Sequence, residues 1–543
     1  MLSARRHSTT GSQPNLPSSN VGKGPLGTLL WVGAGITCGV LIALSVPPFG
    51  FWPLAWLGFA GLALVLPGRS ARDRFAVGLG AGLGQYGIGL AWVSEFSIPG
   101  CVALVILGAL FVASTLLVIP SRRLTTAMLA MPATFVLSDW LRARFPLGGF
   151  PLGGTSLGQA LSPLVPSTRI GGSLLLTGET VLVGVTLAQM IRVALAWPAR
   201  TRQSNPDRSS QAGLGSATRA LAVLVAAAVA APLAGSFSPT GAGGHLSPIK
   251  VALVQGGGLR GTRAIHTDPE VVFERHMTAA DTVYPPVDLV VMPEGILQTD
   301  QTFTNSADAA EVAGLAQKLA STVVVGVEQD VGTKHYLNEV AAWSPSGAVG
   351  AVYVKNHLVP FGEYVPFRSV IARLFNVSDV PLDAIAGHGA GYMNTPAAHL
   401  GVMVSYEVFF DERARGGVRS GGQILIVPTN TASYRSSQVP TQELAAARLR
   451  AWETGRWVLQ VTPTGYSAIV TASGRVVKRS TLGMQTVLEG TAERETGRTV
   501  YVAAGDGPFA IGSAALVLLA IFLARTEHPL FRRGHRLRMI RRK

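Results

Sequence analysis

HLGVMVSYEVFFDE, residues 399–412, is an apolar run that stops at Ser405-Tyr406-Glu407 and resumes with Phe409-Phe410. Gly401 to Val404 read as a buried strand, because short continuous apolar runs between turn signals are what fully buried strands leave in a sequence. The strand ends on a hydroxyl and a carboxylate. In α/β sheets, strand ends are where reacting groups gather. The stretch therefore raises two expectations together, an α/β domain and a site at Ser405.

Four other runs share this texture: IKVALVQ (249–255), DLVVMPE (288–294), TVVVGVE (322–328) and QILIVPTN (423–430). Between them SADAAEVAGLAQKLA (306–320) and TQELAAARLRAWETG (441–455) read as amphipathic helices. Strands alternating with helices argue for an α/β domain, here over roughly 237–507.

The rest of the chain differs. Of 543 residues, 48% are hydrophobic and only 14% charged, well below the roughly 25% charged content of soluble domains. Segments long and apolar enough to cross a bilayer, ~17–25 residues, lie near 27–46, 51–67, 75–96, 100–120, 124–140, 176–197, 217–236 and 508–524. About eight transmembrane helices are expected. The first follows a polar leader of more than twenty residues with no cleavage motif behind it, so it reads as a span and not as a removable signal. Cys38 and Cys101 both sit in apolar stretches and read as core residues without a disulfide.

Arginine and lysine in the connections set orientation. Arg5, Arg6 and Lys23 lie in the leader, Arg69, Arg72 and Arg74 after the second span, and Arg122 and Arg123 after the fourth. Arg200, Arg202, Arg208 and Arg219 lie between the sixth and seventh, and the tail reads FRRGHRLRMIRRK. With eight spans, all of these share one side, which makes both termini cytoplasmic. The net charge of +15 is then largely an orientation signal, and no nucleic-acid partner is expected. The expected organisation is a cytoplasmic leader over 1–26, a transmembrane domain of seven helices over 27–236 and an extracytoplasmic domain over 237–507, followed by a last span over 508–524 and a basic cytoplasmic tail over 525–543.

Three strand ends carry chemistry. VVMPEG puts Glu294 just past one strand, VYVKNHLVPFGEYVP puts Lys355 after another with Glu363 eight residues later, and GVMVSYE puts Ser405 and Glu407 after a third. A lone glutamate at a strand end is more often a solvated or capping side chain, and a lysine before Asn-His is usually just exposed. The conjunction of carboxylate, ammonium and nucleophile is stronger than its parts. The ten histidines show no metal-ligand spacing, and no metal or cofactor is expected. His357 reads as structural. QGGGLRG (255–261) lacks the lysine and the Ser/Thr of a P-loop and reads as a flexible loop.

With these motifs in hand, the chain resembles the apolipoprotein N-acyltransferases, membrane enzymes with an extracytoplasmic domain of the nitrilase superfamily. The resemblance runs from about 27 to 524 and rests on MPEG, KNHLVPFGEYVPF and SYE in the family's order, with PPFGFWPLAW and DWLRARFPLGGFP in the membrane half. It implies a four-layer αββα sandwich on a membrane α-helical domain, with Glu294 as general base, Lys355 as the cation beside the oxyanion and Ser405 at the nucleophile position. Glu363, Glu407, Asn338 and Tyr406 become supporting residues. It further implies a membrane phospholipid as acyl donor, the N-terminus of a diacylated lipoprotein as acceptor, the bilayer itself and other lipoprotein or cell-envelope enzymes as partners, and a multi-pass location in a bacterial plasma (inner) membrane. VPFRSVIARLF (365–375) reads equally as an interfacial lid or as an ordinary amphipathic surface helix.

The family uses cysteine where this chain has Ser405, and residues 237–507 contain no cysteine at all. A thiol of pKa ~8.5 becomes a thiolate beside a cation, whereas a serine hydroxyl attacks only when a base takes its proton. An oxygen ester is also a poorer acyl donor to an amine than a thioester. PTNTASYRSS departs from the family too, keeping Asn430 but offering Thr431 and Ser433 where an acidic residue and a tryptophan are usual, with Tyr434 as the nearby aromatic. Three readings stay open: slow transfer through Ser405, a catalytically inactive relative that binds lipoproteins or acts as a scaffold, and a serine introduced into an active enzyme.

Overall fold

The computed structural model describes residues 25–526, other than 122–123, 202–207, 245 and 263–265. The leader as far as residue 24, Arg122, Arg123, Arg202 and the basic tail from residue 527 lie outside the described residues.

Seven helices precede the strands: α1 (Pro25–Ser45), α2 (Pro53–Val65), α3 (Ala71–Gly89), α4 (Ile98–Val118), α5 (Leu124–Arg142), α6 (Thr168–Thr201) and α7 (Arg208–Phe237). Counting one more helix at Gly507–Thr526, helices occur at all eight expected places, but among the described residues six are long and apolar enough to cross a membrane. The shortfall has a physical reason. α2 has only 13 residues, and α3 opens on Arg72, Asp73 and Arg74 and is rich in glycine. Those glycines let it lie between two neighbours: a Cβ on Gly80 would sit 2.1 Å from the Val32 carbonyl oxygen of α1, and one on Gly82 would sit 2.3 Å from Ala109 Cα of α4. Small residues that let backbones touch replace bulk apolar surface as the source of packing between such helices. Cys38 and Cys101 are both free thiols.

The strands and helices between α7 and the last helix form two sheets. In chain order they are β1 (Ile249–Gln255), α8 (Pro269–Ala280), β2 (Leu289–Val291), β3 (Leu297–Thr299), α9 (Ala307–Leu319), β4 (Thr322–Val331), β5 (His335–Trp343), β6 (Val349–Val354), α10 (Arg368–Leu374), β7 (Asp383–Ala384), β8 (Tyr392–Asn394), β9 (His399–Val402), α11 (Asp411–Arg419), β10 (Ile424–Pro428), α12 (Gln438–Thr454), β11 (Val458–Val461), β12 (Ala468–Val470), β13 (Val476–Arg479), β14 (Thr486–Ala492), α13 (Val500–Ala504) and α14 (Gly507–Thr526). The first sheet runs β14-β1-β2-β4-β5-β6, with β3 on β4 and β7 on β5, and the second runs β13-β12-β11-β10-β9-β8.

Alternation along each strand assigns the layers. Val251 and Leu253 of β1 share a cluster with Leu400, Val402, Ile424 and Ile426 of the second sheet, so this is the space between the sheets. Ala252 and Val254 point the other way, toward Phe273 of α8 and Leu315 of α9. On the far side, Leu425 and Val427 pack with Ala414 and Val418 of α11 and Leu444 and Leu449 of α12. The result is four layers, α-β-β-α. That last cluster also contains Val46, Leu157, Leu164 and Leu176 from the membrane half, so the fourth layer is shared. α12 departs from the amphipathic pattern for this reason: wedged between a sheet and α6, it buries Gln442, Glu443, Arg450 and Glu453 along with its apolar residues. α6 itself is broken at Gly171-Gly172, where Gly172 has φ +61° and a Cβ would meet the Tyr501 ring at 2.5 Å.

Candidate active site

β1, β2 and β4 are parallel, and β6 runs the same way after two antiparallel steps through β5. Residues just past β2 and β6 therefore emerge at one end of the sheet. Lys355 Nζ donates to Glu294 Oε1 and to Glu363 Oε1, both at 2.8 Å. Asn338 Nδ2, from β5, donates to the same two oxygens at 2.8 Å each, and Glu363 Oε2 accepts from the Val359 N–H at 2.7 Å. Lys355 is 1% exposed, a burial tolerable only because every charge has a partner. Burial alone would lower the lysine, but the two carboxylates outweigh it and hold Lys355 above its ordinary value. Burial raises Glu363, opposed by Lys355 and assisted by Glu294. Glu363 is thereby held above the ordinary carboxylate value.

Ser405 opens the 3-10 turn Ser405–Phe409 after β9. Its φ is +49°, in the left-handed region, which costs a non-glycine residue roughly 1–2 kcal/mol and persists where the surroundings over-determine it. Glu407 supplies that constraint. Its fully buried carboxylate accepts from Val404 N at 2.8 Å, just before Ser405, and from Asn356 N at 2.9 Å and His357 N at 3.1 Å, just after Lys355. Tyr353 Oη also donates to it at 2.8 Å. Glu407 is therefore a clasp between the lysine loop and the serine turn. Tyr406 Oη donates to the Gly149 carbonyl at 3.0 Å, fastening the turn to the loop after α5. His357 lies over Phe410, ring centres 4.2 Å apart, and faces Glu412.

The Ser405 hydroxyl is hydrogen-bonded with Thr429 Oγ1 at 3.2 Å, and Thr429 in turn bonds Glu443 Oε1 at 2.8 Å. The charges of Glu294 and Lys355 both act on Glu443, the first raising it and the second lowering it. Thr429 and Glu443 escaped the sequence reading. Thr429 was visible as the residue after the ILIVP strand, but Glu443 lies in a helix whose charged positions look solvent-facing in one dimension. Glu328 was also missed. Burial, then the Glu294 and Glu363 carboxylates, push it up to about 7. Among the described residues no group of three or more His, Cys, Asp or Glu side chains is placed to hold a metal ion.

A four-layer sandwich with glutamate and lysine meeting beyond parallel strands, carried on apolar helices, is a nitrilase-type domain joined to a membrane domain. Residues 250–501 match the carbon-nitrogen hydrolase family model, and 38–186 match that of the apolipoprotein N-acyltransferase N-terminal domain. The apolipoprotein N-acyltransferase of Azotobacter vinelandii is 30% identical over 527 residues, covering 89% of this chain and 93% of that one. Those of Geobacter metallireducens and Mycolicibacterium smegmatis are 27% and 29% identical, covering 91% and 93% of this chain and 95% and 87% of theirs. A crystal structure of a Saccharomyces cerevisiae member of branch 10 of the nitrilase superfamily matches 46% of the chain at 21% identity and a TM-score of 0.36. The chain belongs to the apolipoprotein N-acyltransferase family, and its class of reaction is N-acyl transfer by a membrane protein.

Proposed function

We propose that the chain takes a fatty acyl group from a membrane phospholipid onto Ser405, releasing a lysophospholipid, and passes it as an amide to the N-terminal amine of a diacylglyceryl-cysteine lipoprotein. Glu294 serves as general base, and Lys355 neutralises the oxyanion of the tetrahedral intermediate. Glu363 and Asn338 hold that pair, while Glu407 and Tyr406 fix the turn that presents the nucleophile. The strand-bearing domain faces outward from a bacterial plasma membrane, with both termini in the cytoplasm, so that both bilayer-anchored substrates reach the site from the outer leaflet. The distribution of arginines and lysines supports this orientation.

The observation that carries the reading is the buried Glu294–Lys355–Glu363 cluster, in which the lysine donates to both carboxylates, clasped through Glu407 to a strained Ser405. The test is Ser405→Cys in membranes supplied with phospholipid. The variant should form an acyl-enzyme, seen as a mass increase, and transfer to a diacylated lipopeptide faster than the parent chain. Adding Lys355→Ala should abolish both. A cysteine variant that stays unacylated would favour the second reading, binding without turnover, for which the serine itself is the supporting observation.

A further inference from the structure

Ser405 has a neighbour that the ion cluster does not supply. Thr429 Oγ1 lies 3.2 Å from Ser405 Oγ and 2.8 Å from Glu443 Oε1. Thr429 is fully buried and Glu443 only 3% exposed. A threonine hydroxyl has one proton and two lone pairs, so it serves one neighbour as donor and the other as acceptor. In the structure Thr429 Oγ1 is the donor toward both Ser405 Oγ and Glu443 Oε1; its single proton serves one of them at a time, and when it turns to an ionised Glu443 the Ser405 O–H can turn to the Thr429 oxygen, which makes a chain ending on a base. With Glu443 protonated the chain can reverse, and Ser405 Oγ receives a hydrogen bond instead.

We propose that the proton Ser405 loses on acylation passes through Thr429 onto Glu443, a relay suited to an oxygen nucleophile, which leaves Glu294 as the base for the incoming amine. It rests on the reading of Ser405 as the acyl acceptor. In the first half-reaction Ser405 Oγ bonds the acyl carbonyl carbon, its proton passes to Thr429, and the threonine proton passes to Glu443. The carbonyl π pair moves to oxygen, then returns to break the bond to the glycerol oxygen, and that alkoxide takes the proton back along the chain. In the second, the amine nitrogen attacks the serine ester, Glu294 takes its surplus proton, and the departing Ser405 oxygen recovers that proton. Atoms and charges balance without any further reactant.

The surroundings of Glu443 suit the role. Burial raises it, the Thr429 hydrogen bond lowers it, Glu294 raises it and Lys355 lowers it, and the balance pushes it up to about 8. Its second oxygen is buried without a hydrogen-bond partner, which leaves room for a proton. A base near the working pH is the efficient one. Glu443 acts through Thr429 and is a positioning residue, while Ser405 is the group that reacts.

The test uses the full chain in detergent micelles with a long-chain p-nitrophenyl ester, reading acylation of the Ser405 peptide by mass between pH 6 and 10. Acylation should rise with pH and level off near 8. Glu443→Gln and Thr429→Val should slow it by about 10²-fold and flatten the pH profile, while Thr429→Ser keeps both rate and profile. Ser405→Cys should react at the same rate with and without Glu443→Gln, because a thiolate does not need the relay. An unchanged profile in Glu443→Gln, an equal slowing of the cysteine form, or no acylation of Ser405 at any pH would each overturn the proposal. The activated ester is not a phospholipid, so a wrong assignment of the natural donor leaves these results unchanged.

Discussion

Lys355, Glu294 and Glu363 sit out of water with one amide, Asn338, bridging the two carboxylate oxygens that the lysine also reaches. Removing the bridge leaves each buried oxygen one donor short, at roughly 1–3 kcal/mol for an unsatisfied buried group. Asn338→Leu should therefore lower the thermal unfolding midpoint clearly, and an unchanged midpoint would mean the amide is incidental. Glu443 gives a pH prediction. Its folded value of about 8 lies above the ordinary ~4.3, so the folded state holds a proton that the unfolded state releases. Stability from this group is present below the ordinary value and is lost as pH rises through the window up to about 8, with a slope of at most ~1.4 kcal/mol per pH unit. Glu443→Gln, neutral throughout, should resemble the parent chain at pH 5 and unfold at a higher temperature than it at pH 9. Thermal scans at the two pH values check this.

At the scale of elements, α3 depends on closeness. The 2.3 Å approach between the position of a Gly82 Cβ and Ala109 Cα leaves no space for a side chain, and overpacking costs typically 1–3 kcal/mol. Gly82→Leu should reduce the yield of monodisperse protein after detergent extraction, whereas Gly87→Ala, with nothing within 4 Å of its Cβ position, should not. The same helix shows where the sequence misleads. Its apolar content was legible, but its charged first turn and glycines make it a packing element that fails a length-and-hydropathy count. β1 appears at 249–255 as expected, since a run apolar on both faces has few alternatives. β9 ends at Val402, before the expected Val404, because the chain must turn to set Ser405 at positive φ. α12 hid Glu443 because burial on both sides erases the periodic signal that marks a buried face. Glu294, Lys355 and Ser405 were legible as strand-end groups, but the Thr429 link belongs to residues brought together only by β10 and α12.

On the scale of the whole molecule, the membrane half and the domain are joined at several points. Arg144, after α5, pairs with Asp506, before α14, at 2.7 Å. Glu95, between α3 and α4, accepts from the Arg435 and Ser436 N–H groups at 2.5 and 3.2 Å, beside a Trp92–Tyr434 ring contact. The proposed orientation predicts that Thr304→Cys reacts with an impermeant thiol reagent in intact cells and Asn205→Cys only after permeabilisation. The opposite pattern would put the site in the wrong compartment.

The shared fourth layer has a consequence for how the protein is made. Val46, Leu157, Leu164 and Leu176 are synthesised before any residue of α11 or α12, with which they share a cluster. Synthesis thus lays down the floor before the room: when α12 leaves the ribosome, the surface it will lie on is already in the membrane. A fragment beginning at β1 would meet water with that surface missing and an apolar face uncovered, a liability for aggregation. Such a fragment should aggregate where the full chain does not, and its place in the chain, after the residues of the membrane half that it packs on, matches the order in which its contacts become possible.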